Sequence, residues 1–340
     1  MKSIVLEAPG RFRIGESPDP APRDPPPGYA LVRVHRVGIC GTDWHAFHGR
    51  QPFFAYPRIL GHELGVEIER VNDPSSDLKP GDRCAVEPYL NCGHCIACRN
   101  GKGNCCTDLK VMGVHVDGGM RDRIIVPVRK LHRSRTLDWD QLALVETLGI
   151  GCHATQRAEP REGENMLIVG AGPIGLSIIP FAMERKANVI VADVSASRLE
   201  FCQRQMHVPH VVDAAGDLSA DVKKLLGGDL PTLVMDATGN PPSMTRCFQL
   251  AAHGGRIVFV GLFSGDLTFN DPDFHRRELT IRASRNALPD DLDSIIQGIE
   301  LGRIDTRPWI THRATATGFL DALPGWLSPQ AGVLKAILEF

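Results

Sequence analysis

The sequence predicts an α/β protein in which a mostly β domain is combined with a doubly wound parallel sheet of six strands. Three observations support this fold class. Roughly the first 150 residues contain short segments of alternating apolar and polar residues, separated by proline and glycine. A central region then alternates continuous apolar segments with helix-like ones, as βα units do. After about Leu288 the pattern becomes mixed again.

The alternating segments of the first region are VLEAPGRFRIGE, YALVRVHRVGI and GVEIERV. Alternation of this kind is typical of strands that bury one face. The stretch PDPAPRDPPPG lies between the first two segments, and its prolines predict an extended surface conformation.

In the central region, MLIVGAGPIGLSIIPFAMERK predicts a buried strand, a glycine turn and a helix, and ANVIVADVS predicts a second strand. The strand-like segments HVVD, TLVMDATG, GRIVFVGL and LTIRAS follow, with helix-like segments such as SRLEFCQRQ and PSMTRCFQLAA among them. Strands that are apolar throughout are covered on both faces, which predicts a parallel sheet ending in LTIRAS.

The last region contains a predicted helix, DDLDSIIQGIELGRI, and ends in AGVLKAILEF. We expect this tail to return to the first domain. The predicted domains are therefore residues 1–145 with 289–340, and residues 146–288.

The composition is that of an ordinary globular chain and argues against several classes of partner. Of 340 residues, 43% are hydrophobic and 23% are charged. A net charge of -2, from 38 basic and 40 acidic residues, does not favour nucleic acid or an anionic membrane surface. The sequence has no apolar run of about 18 residues, and its first residues do not resemble a signal peptide. We therefore expect a cytoplasmic protein with reduced thiols.

Gly170, Gly172 and Gly175 form a G-x-G-x-x-G motif between a predicted strand and its helix. In a dinucleotide site these glycines allow a tight turn, close approach to a pyrophosphate and helix–strand packing. Asp193 ends the next strand, where a carboxylate binds the ribose 2′-hydroxyl and repels a 2′-phosphate, so NAD is favoured over NADP. An ordinary strand–turn–helix is the alternative. Further expected cofactor contacts are Pro173, Ile174, Arg198, Thr238, Val260 and Ser284.

Five of the ten cysteines lie within NCGHCIACRNGKGNCC. Two overlapping C-x-x-C steps and a later cysteine can surround one ion with four thiolates, which suits zinc. A closed shell of this kind has no position for substrate, so it predicts a structural zinc lobe at about residues 88–110. Cys105 competes with Cys106 as the fourth ligand, and an iron site, disulfides or free thiols are the alternatives to zinc. The predicted ligands are Cys92, Cys95, Cys98 and Cys106.

Two other stretches contain residues that suit a catalytic metal: GICGTDWHAFHG with Cys40, and ILGHELGVEI with His62 and Glu63. One thiolate, one imidazole and one carboxylate give three protein ligands and leave a fourth position for water or substrate. A lone cysteine or histidine is more often a packing residue, which is the alternative for each of them.

In this order, CGTDxH, GHE, C-x-x-C-x-x-C-x7-C and the glycine motif resemble the zinc-dependent medium-chain dehydrogenases over essentially the whole chain. The resemblance implies a GroES-like catalytic domain, a Rossmann domain that binds NAD, and two zinc ions per chain, one catalytic and one structural. It implies that Cys40 and His62 bind the catalytic zinc, with Glu63 a direct or alternate ligand. Glu146, in VETLGIG, matches the position at which polyol-type members carry a glutamate, which binds zinc directly or through water.

The resemblance also implies a proton relay from Thr42 to His45. The Thr42 hydroxyl would bond the substrate oxygen, whose pKa the zinc lowers, and His45 would pass the proton towards solvent. The alternatives are a helix-capping hydroxyl for Thr42 and a surface imidazole for His45. Asp43 is expected to orient this turn rather than to react.

Two departures from the family pattern lie beside the expected carboxylate ligands. Gly65 comes one residue earlier than usual, in GHELG after Glu63. Thr147 replaces the proline that usually follows the glutamate at position 146.

Three stretches, PFFAYPRILGHE, VMGVHVDGGM and ASRNA, are similar to the sugar-acid and polyol branch of that family, which includes L-galactonate, L-gulonate and L-idonate 5-dehydrogenases. This resemblance implies oxidation of a secondary alcohol on a small sugar acid or polyol. The relatives' assemblies imply a homodimer or a homotetramer. Candidate substrate partners are His48, Arg50, Glu87, His115 and Arg285.

Three rival functions are consistent with parts of the sequence. The first is a threonine or simple secondary-alcohol dehydrogenase on the same scaffold. The second is a non-catalytic, NAD-binding sensor, although such a protein would tend to lose one of the expected catalytic residues. The third is a nucleic-acid-binding zinc protein, which would need the basic surplus that this chain lacks.

Overall fold

The computed structural model describes residues 1–21, 23–51 and 54–340. Pro22, within the predicted extended stretch, and Pro52 and Phe53, within PFFAYPRILGHE, lie outside the described residues. The chain divides into two compact units, Met1–Thr147 with Leu288–Phe340, and Leu148–Ala287.

The elements alternate in the way the sequence predicts, with short strands first and βα units after them. The strands are β1 Lys2–Ala8, β2 Arg11–Glu16, β3 Tyr29–Ile39, β4 Arg58–Ile59, β5 Glu63–Asn72, β6 Arg83–Val86, β7 Tyr89–Leu90, β8 Lys110–Val111, β9 Arg123–Pro127, β10 Leu131–Ser134, β11 Asn165–Val169, β12 Asn188–Asp193, β13 His210–Asp213, β14 Leu233–Asp236, β15 Arg256–Phe259, β16 Thr280–Ala283, β17 Ile310–Thr315 and β18 Lys335–Glu339.

The helices are α1 Gly41–Phe47, α2 Ile96–Arg99, α3 Trp139–Ala158, α4 Pro173–Glu184, α5 Ala196–Arg204, α6 Leu218–Leu225, α7 Pro241–Leu250, α8 Asp271–Arg276, α9 Pro289–Glu300 and α10 Phe319–Leu327. Short 3-10 helices cover Gly103–Cys105, Val128–Lys130, Arg307–Trp309 and Pro329–Ala331. Within the described ranges, no helix combines the length and the apolar character that a membrane span requires.

The first unit is built on a mixed sheet in the order β10-β6-β5-β3-β18-β17, with β9 also paired to β3. Strand β3 is antiparallel to both β5 and β18, so Gly38 pairs with Glu63 on one side and with Ile337 on the other. Over the described residues, a smaller sheet has the order β2-β1-β4, and β7 pairs with β8. The central position of β3 brings the end of the chain next to residues that lie near its beginning.

The second unit contains the predicted parallel sheet, in the order β13-β12-β11-β14-β15-β16 over the described residues. Every neighbouring pair is parallel. Leu167, Ile190, Val234 and Ile257 of its inner strands are fully buried, as expected of continuous apolar strands. The segment LTIRAS forms the edge strand β16, which confirms the α/β fold class.

The tail follows the prediction with one correction. Helix α9 ends at Glu300, whereas the sequence predicts a helix that continues through LGRI. Gly302 adopts a left-handed φ of 69°, a common way for a helix to end. Strand β18 then inserts between β3 and β17, so the tail packs within the first unit.

Helix α9 is joined to β10 by two side-chain hydrogen bonds inside the first unit. His132 Nδ1 lies 2.7 Å from Asp293 Oδ1, and Ser134 Oγ donates to Glu300 Oε1 at 2.6 Å. Burial lowers the pKa of His132, but the carboxylates of Asp293 and Glu87 outweigh it, and the pKa is raised above its ordinary value of 6.5.

We expect the variant Asp293→Asn to be less stable than the parent mainly at low pH. Because the folded-state pKa of His132 is raised, its charged bond to Asp293 contributes fully below pH 6.5 and is lost as the pH rises through the raised pKa. The contribution should be at most about 1 kcal/mol because Asp293 is largely exposed. Urea unfolding between about pH 5 and pH 8 measures it.

The matched control is Asp290→Asn, which removes an exposed aspartate from the first turn of the same helix. This control should lack the pH dependence in that range. A stability difference for Asp293→Asn that stays constant, or grows with pH, would contradict the pairing.

Candidate active site

Cys40, His62 and Glu63 form a compact cluster in the first unit. Their ligand atoms all lie within 4.8 Å of one another. Cys40 directly follows β3 and caps the N-terminus of α1, and Glu63 begins β5, which pairs with β3. The sheet therefore brings together three predicted ligands from two separate stretches. His62 and Glu63 are buried, and Cys40 is half-buried.

Asp43, which the sequence analysis expects to orient the turn after Cys40, lies in the first turn of α1 beside this cluster. Its Oδ2 accepts the backbone N–H of Cys40 at 2.9 Å. Its Oδ1 stands 3.9 Å from His62 Nδ1, and both atoms are buried without a hydrogen-bond partner among the described residues. The carboxylate also stabilises the positive end of the helix.

Lys335 is a residue of this site that the sequence analysis missed. The residue is 1% exposed, and its ammonium group donates to both carboxylate oxygens of Glu63, at 2.7 and 2.8 Å. It also donates to Thr147 Oγ1 at 3.2 Å and to the Ile39 carbonyl at 3.4 Å. The cation therefore joins β18, β5, α3 and the end of β3 at one point.

The Lys335–Glu63 pair sets the charge of this part of the site. Burial alone would raise the pKa of Glu63, but the Lys335 ammonium and then His62 hold that pKa below its ordinary value. Burial would lower the pKa of Lys335, but Glu63 and then Cys40 raise it. Both side chains are therefore charged. Removal of one partner from such a buried pair costs about 3–5 kcal/mol, because it leaves an uncompensated charge.

The two departures from the family pattern have structural causes. A side chain at Gly65 would collide with the backbone carbonyl of Trp139, so glycine lets the start of α3 approach β5 closely. Thr147 continues α3 where a proline would interrupt it, and its hydroxyl binds Lys335. Gly38 is a third residue whose small size the site requires, because a Cβ there would occupy the position of the Glu63 carboxylate.

Glu146 is buried near the cluster but stands outside the set whose ligand atoms lie within 4.8 Å of one another. Its Oε1 accepts a hydrogen bond from the buried hydroxyl of Tyr89. Burial, and then the charge of Glu146, raise the pKa of Tyr89 well above its ordinary value. Tyr89 therefore stays protonated as the donor, and the sequence offered no signal for this contact.

The residues of the cluster fit a zinc ion. A thiolate, an imidazole and a carboxylate are the donors that catalytic zinc uses with one position left open. Burial lowers the pKa of His62, but Cys40 and Asp43 raise it well above its ordinary value, so the cluster favours positive charge at this point. A bound zinc ion would supply that charge. The His62 Nδ1, which has no hydrogen-bond partner among the described residues, faces the Asp43 carboxylate, as the second nitrogen of metal-binding histidines commonly does.

Thr42 and His45 lie on α1, directly after Cys40. Thr42 is half-buried and His45 is exposed, so the helix leads from the cluster towards solvent.

Among the candidate substrate partners, His48 and Arg50 are exposed at the end of this helix. Glu87 is instead buried and ion-paired with Lys130 at 2.5 Å, so it serves the fold rather than a substrate. The other two candidates are His115, whose Nδ1 accepts the Val111 N–H at 3.0 Å, and Arg285, which lies in the second unit.

The second cysteine cluster consists of Cys92, Cys95, Cys98 and Cys106, whose Sγ atoms lie within 4.8 Å of one another. Cys98 Sγ lies 3.5 Å from Cys95 Sγ and 4.0 Å from Cys92 Sγ. Both separations are too long for a disulfide bond, and none of the ten cysteines, all of which lie in the described ranges, forms a disulfide. Cys105 points to solvent, so the geometry selects Cys106 as the fourth thiol.

Backbone N–H groups donate to the sulfur atoms of this cluster and favour the thiolate form of Cys92 and Cys95. The Cys92 N–H lowers the pKa of Cys106, but burial and the neighbouring thiols outweigh it and raise that pKa to about 11. Cys92 N donates to Cys106 Sγ at 3.3 Å, and Cys95 N donates to Cys92 Sγ at 3.4 Å. The backbone N–H groups of Cys98 and Thr107 lower the pKa of Cys95 to about 5. Four thiols held in this way fit zinc in a closed tetrahedral shell.

The glycine motif of the second unit has the geometry of a nucleotide loop. Gly170 directly follows β11 and adopts a left-handed φ of 99°. A Cβ at Gly175 would collide with the Gly170 carbonyl, so glycine lets the first turn of α4 pack on the strand. Gly172 caps α4, with Pro173 as the first helical residue and Ile174 as the next. The helix N-terminus therefore presents its N–H groups at an open loop, which suits a phosphate.

Asp193 lies at the end of β12 and is tied to this loop. Its Oδ2 accepts the Ala171 N–H at 2.6 Å, and its Oδ1 accepts the Ser195 N–H at 2.8 Å. Each carboxylate oxygen has a second lone pair, so the group retains capacity for ribose hydroxyls. Arg198 Nη1 comes within 3.9 Å of a Cβ built on Gly172, which places a cation beside the loop.

Asp236, which the sequence analysis did not single out, organises the loops that carry Thr238 and Val260. It is fully buried, and its Oδ1 accepts the N–H and the hydroxyl of Thr238 at 2.9 and 2.8 Å. Its backbone carbonyl accepts the Val260 N–H at 2.9 Å. Ser284 Oγ is buried without a partner among the described residues, as an unfilled ligand contact would be. These features fit a dinucleotide.

Comparison with known families and proteins agrees with this geometry. The family described as alcohol dehydrogenase GroES-like domain matches residues 26–136, and the family described as zinc-binding dehydrogenase matches residues 173–300. The chain is 41% identical over 340 residues to the L-galactonate-5-dehydrogenase of Escherichia coli K12, covering 100% of this chain and 99% of that protein.

A second relative is the 2-dehydro-3-deoxy-L-galactonate 5-dehydrogenase of Pseudoalteromonas atlantica, which is 32% identical over 317 residues and covers 93% of this chain and 92% of that protein. Among solved structures, one described as a short chain alcohol dehydrogenase from Escherichia coli CFT073, complexed with NADH, has a TM-score of 0.92 at 32% identity. It covers 100% of this chain and 99% of that chain. These matches confirm the resemblance that the motifs predict.

We expect Cys95→Ser to lower both the zinc content and the thermal stability of the protein. Structural zinc contributes to folding, so loss of one thiolate opens the shell and should remove about one zinc per chain. Elemental analysis and thermal unfolding measure the two effects. The matched control is Cys105→Ser, which removes the adjacent exposed thiol and should change neither. Normal zinc content and stability in Cys95→Ser, or a loss in the control, would contradict the assignment of these ligands.

Proposed function

Because this chain belongs to the zinc-binding dehydrogenase family, we propose that it is a zinc- and NAD-dependent dehydrogenase that oxidises a secondary alcohol on a sugar acid or polyol. The proposed reaction is of the L-galactonate or L-gulonate 5-dehydrogenase type. The single observation that carries the proposal is the compact Cys40–His62–Glu63 cluster, which offers three zinc donors and leaves one position open.

The proposed chemistry divides between the bound groups and the side chains. When bound, zinc supplies Lewis-acid polarisation of the substrate oxygen and NAD accepts the hydride. The Thr42 hydroxyl would accept the proton of the substrate hydroxyl while donating its own proton onward, through the nicotinamide ribose, to His45. His45 would then release that proton to solvent from its exposed position. Lys335 keeps Glu63 ionised beside His62, and Asp43 holds the Cys40 turn in place.

For the cofactor, we assign the phosphates to the loop of Gly170, Gly172 and Gly175, and the adenosine ribose to Asp193 and Arg198. A carboxylate at position 193 repels the 2′-phosphate of NADP, which supports NAD as the cofactor. The remaining contacts in this proposal come from Pro173, Ile174, Thr238, Val260 and Ser284. Among these residues, Ser284 has a buried hydroxyl without a hydrogen-bond partner in the described structure, and we assign it a hydrogen bond to the bound cofactor.

The substrate branch rests on the relatives and on Glu146. Both curated relatives named above are 5-dehydrogenases of sugar acids, one of them at 41% identity over the whole chain. Glutamate at position 146, rather than cysteine, is what the polyol-type members carry by the resemblance stated above. A threonine dehydrogenase, a simple secondary-alcohol dehydrogenase and a non-catalytic NAD-binding sensor are the rival outcomes of the test below.

The proposed setting is the cytoplasm, and the proposed assembly is a homodimer or homotetramer. None of the ten cysteines, all within the described ranges, forms a disulfide, which supports a reducing compartment. The proposed partner is the small-molecule substrate. The near-neutral charge balance supports no role for nucleic acid or a membrane surface.

We expect the purified protein to reduce NAD with one of L-galactonate, L-gulonate, L-idonate, sorbitol or galactitol. Absorbance of NADH measures the rate, with threonine and 2-butanol in the same panel. The variant Cys40→Ser should lose more than about 100-fold in turnover because it removes a metal ligand, while NADH fluorescence should still report cofactor binding. Cys105→Ser is the thiol control and should keep the parent rate.

Turnover of threonine or 2-butanol, without turnover of any sugar acid or polyol, would be consistent with the proposed mechanism but would reject the proposed substrate class. Full activity in Cys40→Ser would reject the catalytic site. NAD binding without turnover of any compound, in protein that contains both zinc ions, would favour the sensor.

A further inference from the structure

Tyr89 and Glu146 make a contact that the proposed mechanism does not use. The Tyr89 hydroxyl, on a side chain that is 2% exposed, donates to Glu146 Oε1. Glu146 is itself 5% exposed, yet it stands apart from the Cys40–His62–Glu63 set, whose ligand atoms are mutually within 4.8 Å. A buried carboxylate beside a zinc site is a strong candidate ligand, so its separation from the set needs a cause.

The chain around Tyr89 is held in place independently of Glu146. Tyr89 begins β7, which pairs with β8, and Met112 N donates to the Pro88 carbonyl at 3.0 Å. Just before it, the Glu87 carboxylate forms a buried ion pair with Lys130, and the Glu87 N–H donates to the Lys130 carbonyl at 2.9 Å. The Tyr89 hydroxyl therefore cannot follow Glu146 towards the cluster without moving this anchored strand.

The backbone of Glu146 is held as well. Its helix, α3, packs against β5 so closely at Gly65 that a side chain there would collide with the Trp139 carbonyl. The neighbouring residue, Thr147, accepts a hydrogen bond from Lys335 at 3.2 Å. Only the side-chain torsions of Glu146 remain to choose between Tyr89 and the metal site.

We propose that Tyr89 is a positioning residue that holds Glu146 outside the ligand set, so that the open position of the metal is kept for a ligand from solution. The proposal rests on the proposed function, because it presumes a metal ion at Cys40 and His62. Glu146 then borders the open position as a hydrogen-bond acceptor, which suits the hydroxyl-rich substrates of the proposed branch.

Cobalt substitution tests this without reference to turnover. Cobalt(II) replaces zinc in the whole protein, and the spectrum of the Cys40→Ser variant is subtracted to isolate the Cys40–His62 site from the four-cysteine site. Imidazole is the probe for the open position, titrated into the parent and into Tyr89→Phe. The matched control is Tyr56→Phe, which removes a tyrosine hydroxyl that donates to the Ala46 carbonyl at 2.5 Å.

The parent should bind imidazole with a change in the cobalt bands. In Tyr89→Phe the freed carboxylate enters the ligand set, so imidazole should bind at least about tenfold more weakly, in line with the loss of one hydrogen bond to a charged group. Adding Glu146→Gln to Tyr89→Phe should restore the parent affinity, a rescue that a merely structural role of Tyr89 would not produce. Tyr56→Phe should titrate like the parent.

Equal imidazole affinity in Tyr89→Phe and the parent would overturn the proposal, as would weakening that Glu146→Gln does not rescue. If Tyr89→Phe does not fold, Glu146→Gln alone decides: unchanged cobalt bands support the proposal, and changed bands place Glu146 in the ligand set and overturn it. Cobalt bands that survive in full in Cys40→Ser would overturn the proposed function itself, and with it this proposal.

Discussion

A buried ion pair between Lys335 and Glu63 is the interaction on which the rest of the catalytic unit depends. The two residues are 272 positions apart, yet Lys335 donates to both Glu63 oxygens at 2.7 and 2.8 Å. An unpaired charge in this place would be strongly unfavourable, so the last strand, the strand of Glu63 and helix α3 must all be in position together. The Cys40–His62–Glu63 cluster is therefore completed only when the end of the chain has packed against its beginning.

That constraint explains why small residues surround the site. Gly38 leaves the space that the Glu63 carboxylate occupies, and Gly65 lets α3 approach β5. Thr147 gives the ammonium group a further acceptor while it continues the helix. With α3 fixed in this way, Glu146 lies where Tyr89 can bind it, and the Glu87–Lys130 pair holds the strand of Tyr89. Side chains from distant stretches thus place the ligand atoms of Cys40, His62 and Glu63 close to one another.

The sequence predicted the parts of this protein that depend on local spacing. The six-stranded sheet, the four-cysteine cluster and the neighbourhood of Cys40, His62 and Glu63 follow from periodicity and motif. Lys335 was missed because a lysine in KAILEF reads as a solvent-facing residue, and only the pairing of β18 with β3 buries it. The choice of Cys106 over Cys105 depends on the direction of two adjacent side chains, which spacing does not determine. Helix α9 ends early because Gly302 turns left-handed.

The most direct test of the central role of this pair is a double-mutant cycle on the zinc-loaded protein, with Lys335→Met, Glu63→Gln and both. We predict that Lys335→Met alone lowers the free energy of unfolding by about 3–5 kcal/mol, and that the double variant loses at least about 1 kcal/mol less than the sum of the single losses. The exposed pair Lys186–Glu162 at 2.9 Å serves as the control, with an expected coupling below about 1 kcal/mol. Additive losses at Lys335 and Glu63 would contradict the account.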